Sequence, residues 1–403
     1  MQEDIYFKKV IDFRHAGHAL RFRVSQDLFS SHQVDVGTAR LLRSLSSLVF
    51  ASPPKILDLG CGYGPIGLTL KKLFPFATVH LIDRDALALA YTQQNAVLNH
   101  LEENLEIYGS LGYDLVREND FDLIVSNIPG KAGAEAIRNW LLNAALYLRP
   151  QGLVAVVVVT PLEALIAETL SVPGIEMVFQ EAYSGHTIFH YRFASEFEKA
   201  AIVTARPDSL YLRTRIDFRM GNFVMPIETA KGLPEFDTLS YQSDLLLETL
   251  FKYTSPALVH HVLAFNPGQG HAPVAAWKLC APEQITLVDR DLLSLEYARH
   301  NLVLNACPAE AIVTVHQAGM PAHMLTPAEV VLGVLREEEG TVSIASTVSQ
   351  TKTQLAQDGL AFFAASSTAM SRLEKSLKAE KGLRIRKRTR GKGKSVLILE
   401  KAR

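Results

Sequence analysis

Three polar stretches of the chain could together hold a charged ligand and act on a second molecule. The first is Asp58-Leu59-Gly60-Cys61-Gly62-Tyr63-Gly64-Pro65-Ile66-Gly67, between an apolar run and a helix-like stretch. Glycines at such a junction let the backbone turn sharply and approach a ligand closely. Gly62, Gly64 and Gly67 satisfy the bare G-x-G-x-x-G pattern, which alone says little. The second is Asp83, followed by Arg84, at the end of the next apolar run. A carboxylate there can accept both hydroxyls of a ribose. The third is Asn127-Ile128-Pro129, closing the later run Phe121–Ser126. Asp58 stands just before the glycines, where it can meet a cationic group. Together with the Asn-x-Pro element, this favours S-adenosylmethionine over NAD. The competing reading, a glycine-rich turn with no ligand, does not explain why two carboxylates and an Asn-x-Pro converge on one crevice.

These residues need strands and helices in alternation to meet. Strands are expected over Lys55–Leu59, Val79–Ile82, Leu105–Tyr108, Phe121–Ser126 and Leu153–Val159, from their short apolar runs. Helices are expected over Ile66–Phe74, Ala86–Asn99 and Ala134–Leu148, and a terminal hairpin over Met177–Glu181 and Thr187–Phe193. Alternation of this kind indicates an α/β fold, a doubly wound Rossmann-like sheet.

The chain also repeats itself. Val79–Asn99 and Ile285–Asn305, offset by 206, share eleven of twenty-one residues, and the same offset carries Lys55–Gly67 onto His261–Pro273. Two tandem domains are therefore expected, 1–200 and 205–403, with a boundary near 196–210. The second copy is degenerate. Asp58 becomes Ala264, Gly60 becomes Asn266, and Asn127-Ile128-Pro129-Gly130 falls on Gly333-Val334-Leu335-Arg336. Gly268, Gly270 and Asp289 persist. A scaffold or binding role is expected for this copy, with residual cofactor binding through Asp289 left open.

The first half resembles the class I methyltransferases, in particular the small-domain group that includes the bacterial ribosomal RNA guanine-N2 methyltransferases. The resemblance covers about residues 22–193. It is carried by Asp27-Leu28-Phe29-Ser30, Val34-Asp35-Val36-Gly37-Thr38, Leu57–Gly64, Asp83 and Phe121–Pro129. It implies that Asp35, Gly37 and Thr38 line the methionine side of S-adenosylmethionine, with Asp58, Gly60, Cys61, Gly62 and Gly64. It further implies that Asp83 and Arg84 lie at the ribose, that Ser110 meets adenine, and that Asn127 and the Ile128 carbonyl grip a planar amino group. The family pattern at this point is Asn-Pro-Pro followed by an aromatic residue that stacks on the base. Here the sequence reads Asn127-Ile128-Pro129-Gly130-Lys131, without that aromatic. In two-domain members of the group the degenerate copy comes first, whereas here it comes second.

Composition sets the remaining bounds. The formal net charge is −1 over 403 residues, so any contact with nucleic acid must come from a local patch. Seven cations crowd residues 384–394, and Arg384, Arg386, Lys387, Arg388 and Arg390 are expected to bind RNA phosphate; a solvated charged loop is the alternative. Cys61, Cys280 and Cys307 fit no disulfide or zinc framework, and the opening MQEDIYFKKV has no signal-peptide character. A cytoplasmic chain is expected, with no metal and no membrane contact, and monomeric through its pseudo-dimeric tandem domains. The reading is an RNA methyltransferase, with rRNA guanine-N2 as the expected acceptor. The alternatives are methyl transfer to a protein amide or small molecule, and a non-catalytic RNA-binding or assembly protein that keeps the cofactor site.

Overall fold

The computed structural model of the chain describes residues 4–195, 197, 210–235, 237–254, 259–322, 326–336 and 339–402. The chain divides into two compact units, one of Tyr6–Tyr211 and one of Leu212–Arg403 together with Asp4 and Ile5. Apart from Phe197 and Leu210, the expected boundary at 196–210 lies outside the described residues.

The first unit opens with a hairpin, β1 (Phe7–His15) and β2 (His18–Ser25), then α1 (Val36–Ser44). β3 (Lys55–Leu59), α2 (Pro65–Leu73), β4 (Thr78–Asp83), α3 (Ala86–Leu98) and β5 (Leu105–Gly109) follow. The unit closes with β6 (Phe121–Asn127), α4 (Ala134–Asn143), β7 (Leu148–Val159), α5 (Glu163–Thr169), β8 (Ile175–Tyr183) and β9 (His186–Phe193). Seven strands form one sheet in the order β5-β4-β3-β6-β7-β9-β8. The five strands from β5 to β7 run parallel, and β9 inserts antiparallel beside β7. β3 and β6 are apolar on both faces because helices cover both sides, so their residues are almost all buried.

Local sequence sets the element ends. Gly64 caps α2 in the left-handed region at φ 90°, with Pro65 in the first turn. The Asp85 side chain accepts the Leu87 N–H and starts α3. The helix expected to run to Leu148 stops at Asn143, and a 3-10 turn covers Ala144–Leu146. The strand expected from Leu153 already begins at Leu148, which pairs with Phe121 ahead of a register shift.

The second unit repeats this plan. It contains β10 (Leu212–Met220), β11 (Phe223–Ala230), α6 (Tyr241–Tyr253), β12 (His261–Phe265), α7 (His271–Cys280), β13 (Gln284–Asp289), α8 (Leu292–Leu304) and β14 (Ile312–His316). β15 (Ala328–Val334), α9 (Thr341–Gln354), β16 (Leu355–Ser366), α10 (Ser367–Ala379), β17 (Leu383–Gly391) and β18 (Lys394–Lys401) complete it. Its sheet order, β14-β13-β12-β15-β16-β18-β17, is the first sheet's order strand for strand.

Both units begin with a two-stranded hairpin, which the sequence reading did not foresee. Asparagines one helical turn apart hold each hairpin to its unit. Asn95 accepts the Arg23 N–H at 2.7 Å and donates to the carbonyls of Arg23 at 3.1 Å and Tyr63 at 2.9 Å. Asn99 accepts the Arg21 N–H at 2.9 Å and donates to the Arg21 carbonyl at 2.7 Å. The two side chains thus satisfy the free edge of β2 as a neighbouring strand would. In the second unit Asn301 does the same to Glu228. Asn305 donates to the Pro226 carbonyl at 2.8 Å, but its Oδ1 is left without a partner, because proline has no N–H to offer. Asn95→Ala strands buried backbone groups, whereas the groups around Asn99 lie nearer water. Urea unfolding is expected to show a loss of roughly 3 kcal/mol for Asn95→Ala and about 1 kcal/mol for Asn99→Ala. An Asn95→Ala protein as stable as the parent would contradict the clamp.

Candidate active site

The chain leaves β3 toward β4 on one side, and β6 lies on the other, so a crevice opens beyond the carboxyl end of β3. The glycine loop lines it. Gly60 and Gly62 have φ of 78° and 58°, and a Cβ built on either would meet no atom within 4 Å. The loop therefore presents bare backbone to open space. Gly67 is needed for the opposite reason: a Cβ there would lie 2.6 Å from Leu81 Cδ2, so glycine lets α2 pack closely on β4. Cys61 is buried with its Sγ 3.7 Å from Thr92 Oγ1, and Thr92 in turn donates to the Gly62 carbonyl at 2.8 Å. That pair braces the loop from beneath, and burial pushes the Cys61 thiol well above its usual range.

Two carboxylates stand behind the loop. Asp58 is fully buried; its Oδ2 accepts the Gly67 N–H at 2.8 Å and its Oδ1 has no partner. Burial, with Asp83 adding to it, pushes Asp58 up to about 7. Asp83 accepts the Gly62 N–H through Oδ2 and the Asp85 N–H through Oδ1, both at 2.9 Å. Burial first, and then Asp85, raise it to about 6. Two carboxylates raised in this way favour a cationic ligand, which would restore their charge. An open glycine cradle, an orphaned carboxylate oxygen and a second carboxylate at the end of β4 fit S-adenosylmethionine, which carries a sulfonium, an ammonium and a ribose. Arg84 follows, half-buried, beside Asp83. Ser110 is also brought to the crevice side, its N–H bonded to the Asp83 carbonyl at 3.0 Å. Its hydroxyl donates to the Gly112 carbonyl at 2.8 Å and accepts from Leu115 N–H at 3.1 Å, so it folds the loop that follows β5.

On the other side of the crevice Asn127 ends β6. Its Nδ2 donates to Asp35 Oδ2 and to Thr38 Oγ1, each at 3.1 Å. A carboxylate can only accept here, so the amide has one orientation, with Oδ1 as its remaining acceptor. Asp35 caps α1, accepting the Thr38 N–H at 3.2 Å. Gly37 is required between them, since a Cβ there would lie 2.8 Å from Asp35 Oδ2 and 2.7 Å from His186 Cδ2. His186, at the start of β9, places Nε2 4.0 Å from Asp35 Oδ2. Sequence reasoning missed His186, and only the return of β9 beside β7 brings it to the crevice. The Ile128 side chain is buried and its N–H bonds the Val157 carbonyl at 3.0 Å, while no described residue bonds its own carbonyl. Pro129 follows, exposed.

The corresponding crevice of the second unit is filled by its own side chains. Arg336 donates to Asp289 Oδ1 at 2.7 Å, and Asp289 is fully buried. Asn266 donates to the Val334 carbonyl at 2.9 Å and to Glu339 Oε1 at 3.1 Å. The carboxylate left open as a residual cofactor contact is thus already paired.

The cation run lies on β17, the edge strand of the second sheet. Arg384 donates to Glu400 at 2.7 Å, Arg386 lies 3.7 Å from Glu400, and Arg388 pairs with Glu374. Arg384 and Arg386 share the one carboxylate of Glu400, so three of the five expected phosphate ligands are engaged by two carboxylates within the unit, while Lys387 and Arg390 are exposed. Charged side chains on an edge strand also discourage edge-to-edge pairing. Among the described residues no three His, Cys, Asp or Glu side chains gather as a metal site, and no helix is long and apolar enough to cross a membrane.

Comparison with known proteins agrees with this geometry. The methyltransferase small domain family model matches residues 19–182. The Bacillus subtilis protein YbxB is 33% identical over 149 residues, which is 36% of this chain and 71% of that protein. Ribosomal RNA small subunit methyltransferase C of Pasteurella multocida is 36% identical over 137 residues, covering 33% of this chain and 40% of the relative. A solved T. thermophilus 16S rRNA N2 G1207 methyltransferase, RsmC, in complex with AdoMet and guanosine, aligns over 98% of both chains at a TM-score of 0.71 and 18% identity. That structure defines the class: two tandem Rossmann-like methyltransferase folds in one chain. Through its first unit, the chain belongs to the methyltransferase small domain family.

The Asp58 carboxyl gives a pH test. A carboxyl with a folded pKa near 7 and an unfolded pKa near 3.9 binds protons more readily when folded, so its ionisation costs stability as pH rises from about 4 through about 7. In the ligand-free protein, Asp58→Asn is expected to gain stability over the parent across that interval and to hold the gain above it. Thermal unfolding at a series of pH values measures this, and a difference that is flat or shrinks with rising pH would refute it.

Proposed function

We propose that the chain transfers the methyl group of S-adenosylmethionine to an exocyclic amine of RNA, with N2 of a guanine in rRNA as the acceptor. The observation that carries the reading is the fixed orientation of Asn127, with its amide donors held by Asp35 and Thr38 and its Oδ1 left as an acceptor. When bound, the cofactor supplies an already activated methyl carbon on a sulfonium. Asp58 would hold the cationic methionine end, the backbone at Gly60 and Gly62 would lie against it, and Asp83 would accept the ribose hydroxyls. An exocyclic amine is a poor nucleophile because its lone pair is delocalised into the ring. Asn127 Oδ1 and the Ile128 carbonyl can accept its two hydrogens, favour the pyramidal nitrogen of the transition state and hold it in line for attack.

The guanine-N2 assignment draws on the ribosomal RNA methyltransferase relatives, which match over 137 and 129 residues, less than half of their own length. It draws also on the fold shared with an enzyme whose structure holds guanosine. The second unit, with its crevice closed by Arg336, serves as scaffold or substrate contact.

Labelled cofactor incubated with undermodified total RNA, followed by digestion to nucleosides, tests the reaction, and N2-methylguanosine is the expected product. Asn127→Ala is expected to keep near-normal cofactor affinity and to lose turnover by on the order of a hundredfold. Asp83→Ala should mainly weaken cofactor binding. Full activity in Asn127→Ala would refute the assigned grip, and label appearing only in protein or metabolites would refute the RNA acceptor.

A further inference from the structure

A groove of about 520 Å³ opens beside the N-terminal hairpin, against the carboxyl ends of α2 and α3. Arg14, Arg21, Lys72 and His100 line it, and Asp12 is the one carboxylate in its wall. The cations Arg14, Arg21 and Lys72 are scattered through the sequence, so no run announces them. Arg14, Arg21 and Lys72 enter no ion pair among the described residues, in contrast to Arg384, Arg386 and Arg388 on β17. Asp12 stands opposite Arg21 in the hairpin register and offsets part of one charge only.

Helix-end electrostatics accounts for part of this cluster. Lys72 is in the last turn of α2, where a cation complements the helix dipole. Arg14 and Arg21 sit on strands and have no such role. The groove is also joined to the crevice by a single strand. β2 runs from Arg21 to Ser25, roughly 13 Å, and the following segment ends at Asp35, which holds Asn127. Midway, Arg23 is bonded to Asn95, which also bonds Tyr63 of the glycine loop.

We infer that this groove binds backbone phosphates of the RNA whose base occupies the crevice. The inference rests on the RNA-methyltransferase reading above. Unpaired cations in a groove attract phosphate without reading sequence, so the groove supplies affinity and register while Asn127 and Ile128 meet the base.

The test uses the full chain, protein-free ribosomal RNA and binding at several salt concentrations. The triple variant Arg14→Ser, Arg21→Ser, Lys72→Ser is expected to lower the slope of log affinity against log salt by roughly two to three units, each lost phosphate contact removing about one or less. Cofactor affinity should be unchanged, and the KM for RNA should rise at least about tenfold with kcat preserved. Arg14→Lys with Arg21→Lys should keep the parental slope, which separates charge from packing. Arg384→Ser with Arg386→Ser should change the slope by less than about one unit. Equal slopes for the parent and the triple variant would overturn the groove assignment, as would a parent that binds poly-glutamate as tightly as RNA. A parent that binds RNA through the groove but methylates no RNA would leave the groove standing and remove the proposed reaction.

Discussion

A carboxylate buried without a counter-charge is unstable in its ionised form, and the first unit is organised around one. Asp58 spends one oxygen on the Gly67 N–H and leaves the other unsatisfied beneath an open glycine cradle. Around it stand the close packing of α2 on β4 at Gly67, the bare backbone of Gly60 and Gly62, and the second carboxylate of Asp83, which accepts the Gly62 N–H. Binding a cation there exchanges an electrostatic penalty for an attraction, so the site is selective for a positively charged ligand before any shape is considered.

The second unit shows the same backbone plan with that constraint removed. Ala264 replaces the orphaned carboxylate, and Asn266 accepts the left-handed conformation at φ 53° while bridging two strands. Arg336 then pairs with Asp289, the counterpart of Asp83, so the carboxylate that would meet a ribose is taken up internally. The asparagines that hold the hairpins, Asn95 and Asn99 in one unit and Asn301 and Asn305 in the other, survived the duplication because they satisfy backbone rather than ligand. At the crevice, by contrast, Asp58, Gly60 and Asn127 are replaced by Ala264, Asn266 and Gly333.

Much of this was legible in the sequence. The glycine loop, Asp58, Asp83 and Asn127 follow apolar runs, so their convergence at one end of a parallel sheet comes from strand order alone. The offset of 206 even placed Arg336 at the position of Gly130. Its partner was not legible, because Asp289 lies 47 residues away and the ion pair depends on tertiary placement. The same limit applies to the expected phosphate contacts. A run of cations at 384–394 is conspicuous in sequence, but Glu374 and Glu400 reach it from a helix and a neighbouring strand. The unpaired cations at 14, 21 and 72 meet only when β1, β2 and α2 are packed together. The N-terminal hairpins went unread because their short alternating strands pair only with each other and carry many charges.

One crevice of this duplicated chain keeps both carboxylates for a cationic, ribose-bearing ligand, and the other has lost the first, at Ala264, and paired the second with Arg336. Calorimetric titration of S-adenosylmethionine into the full chain measures this most directly. One binding site per chain, weakened by Asp83→Ala and unaffected by Arg336→Ala, is the predicted result. Two sites per chain, or a single site whose affinity Asp83→Ala leaves unchanged, would contradict it.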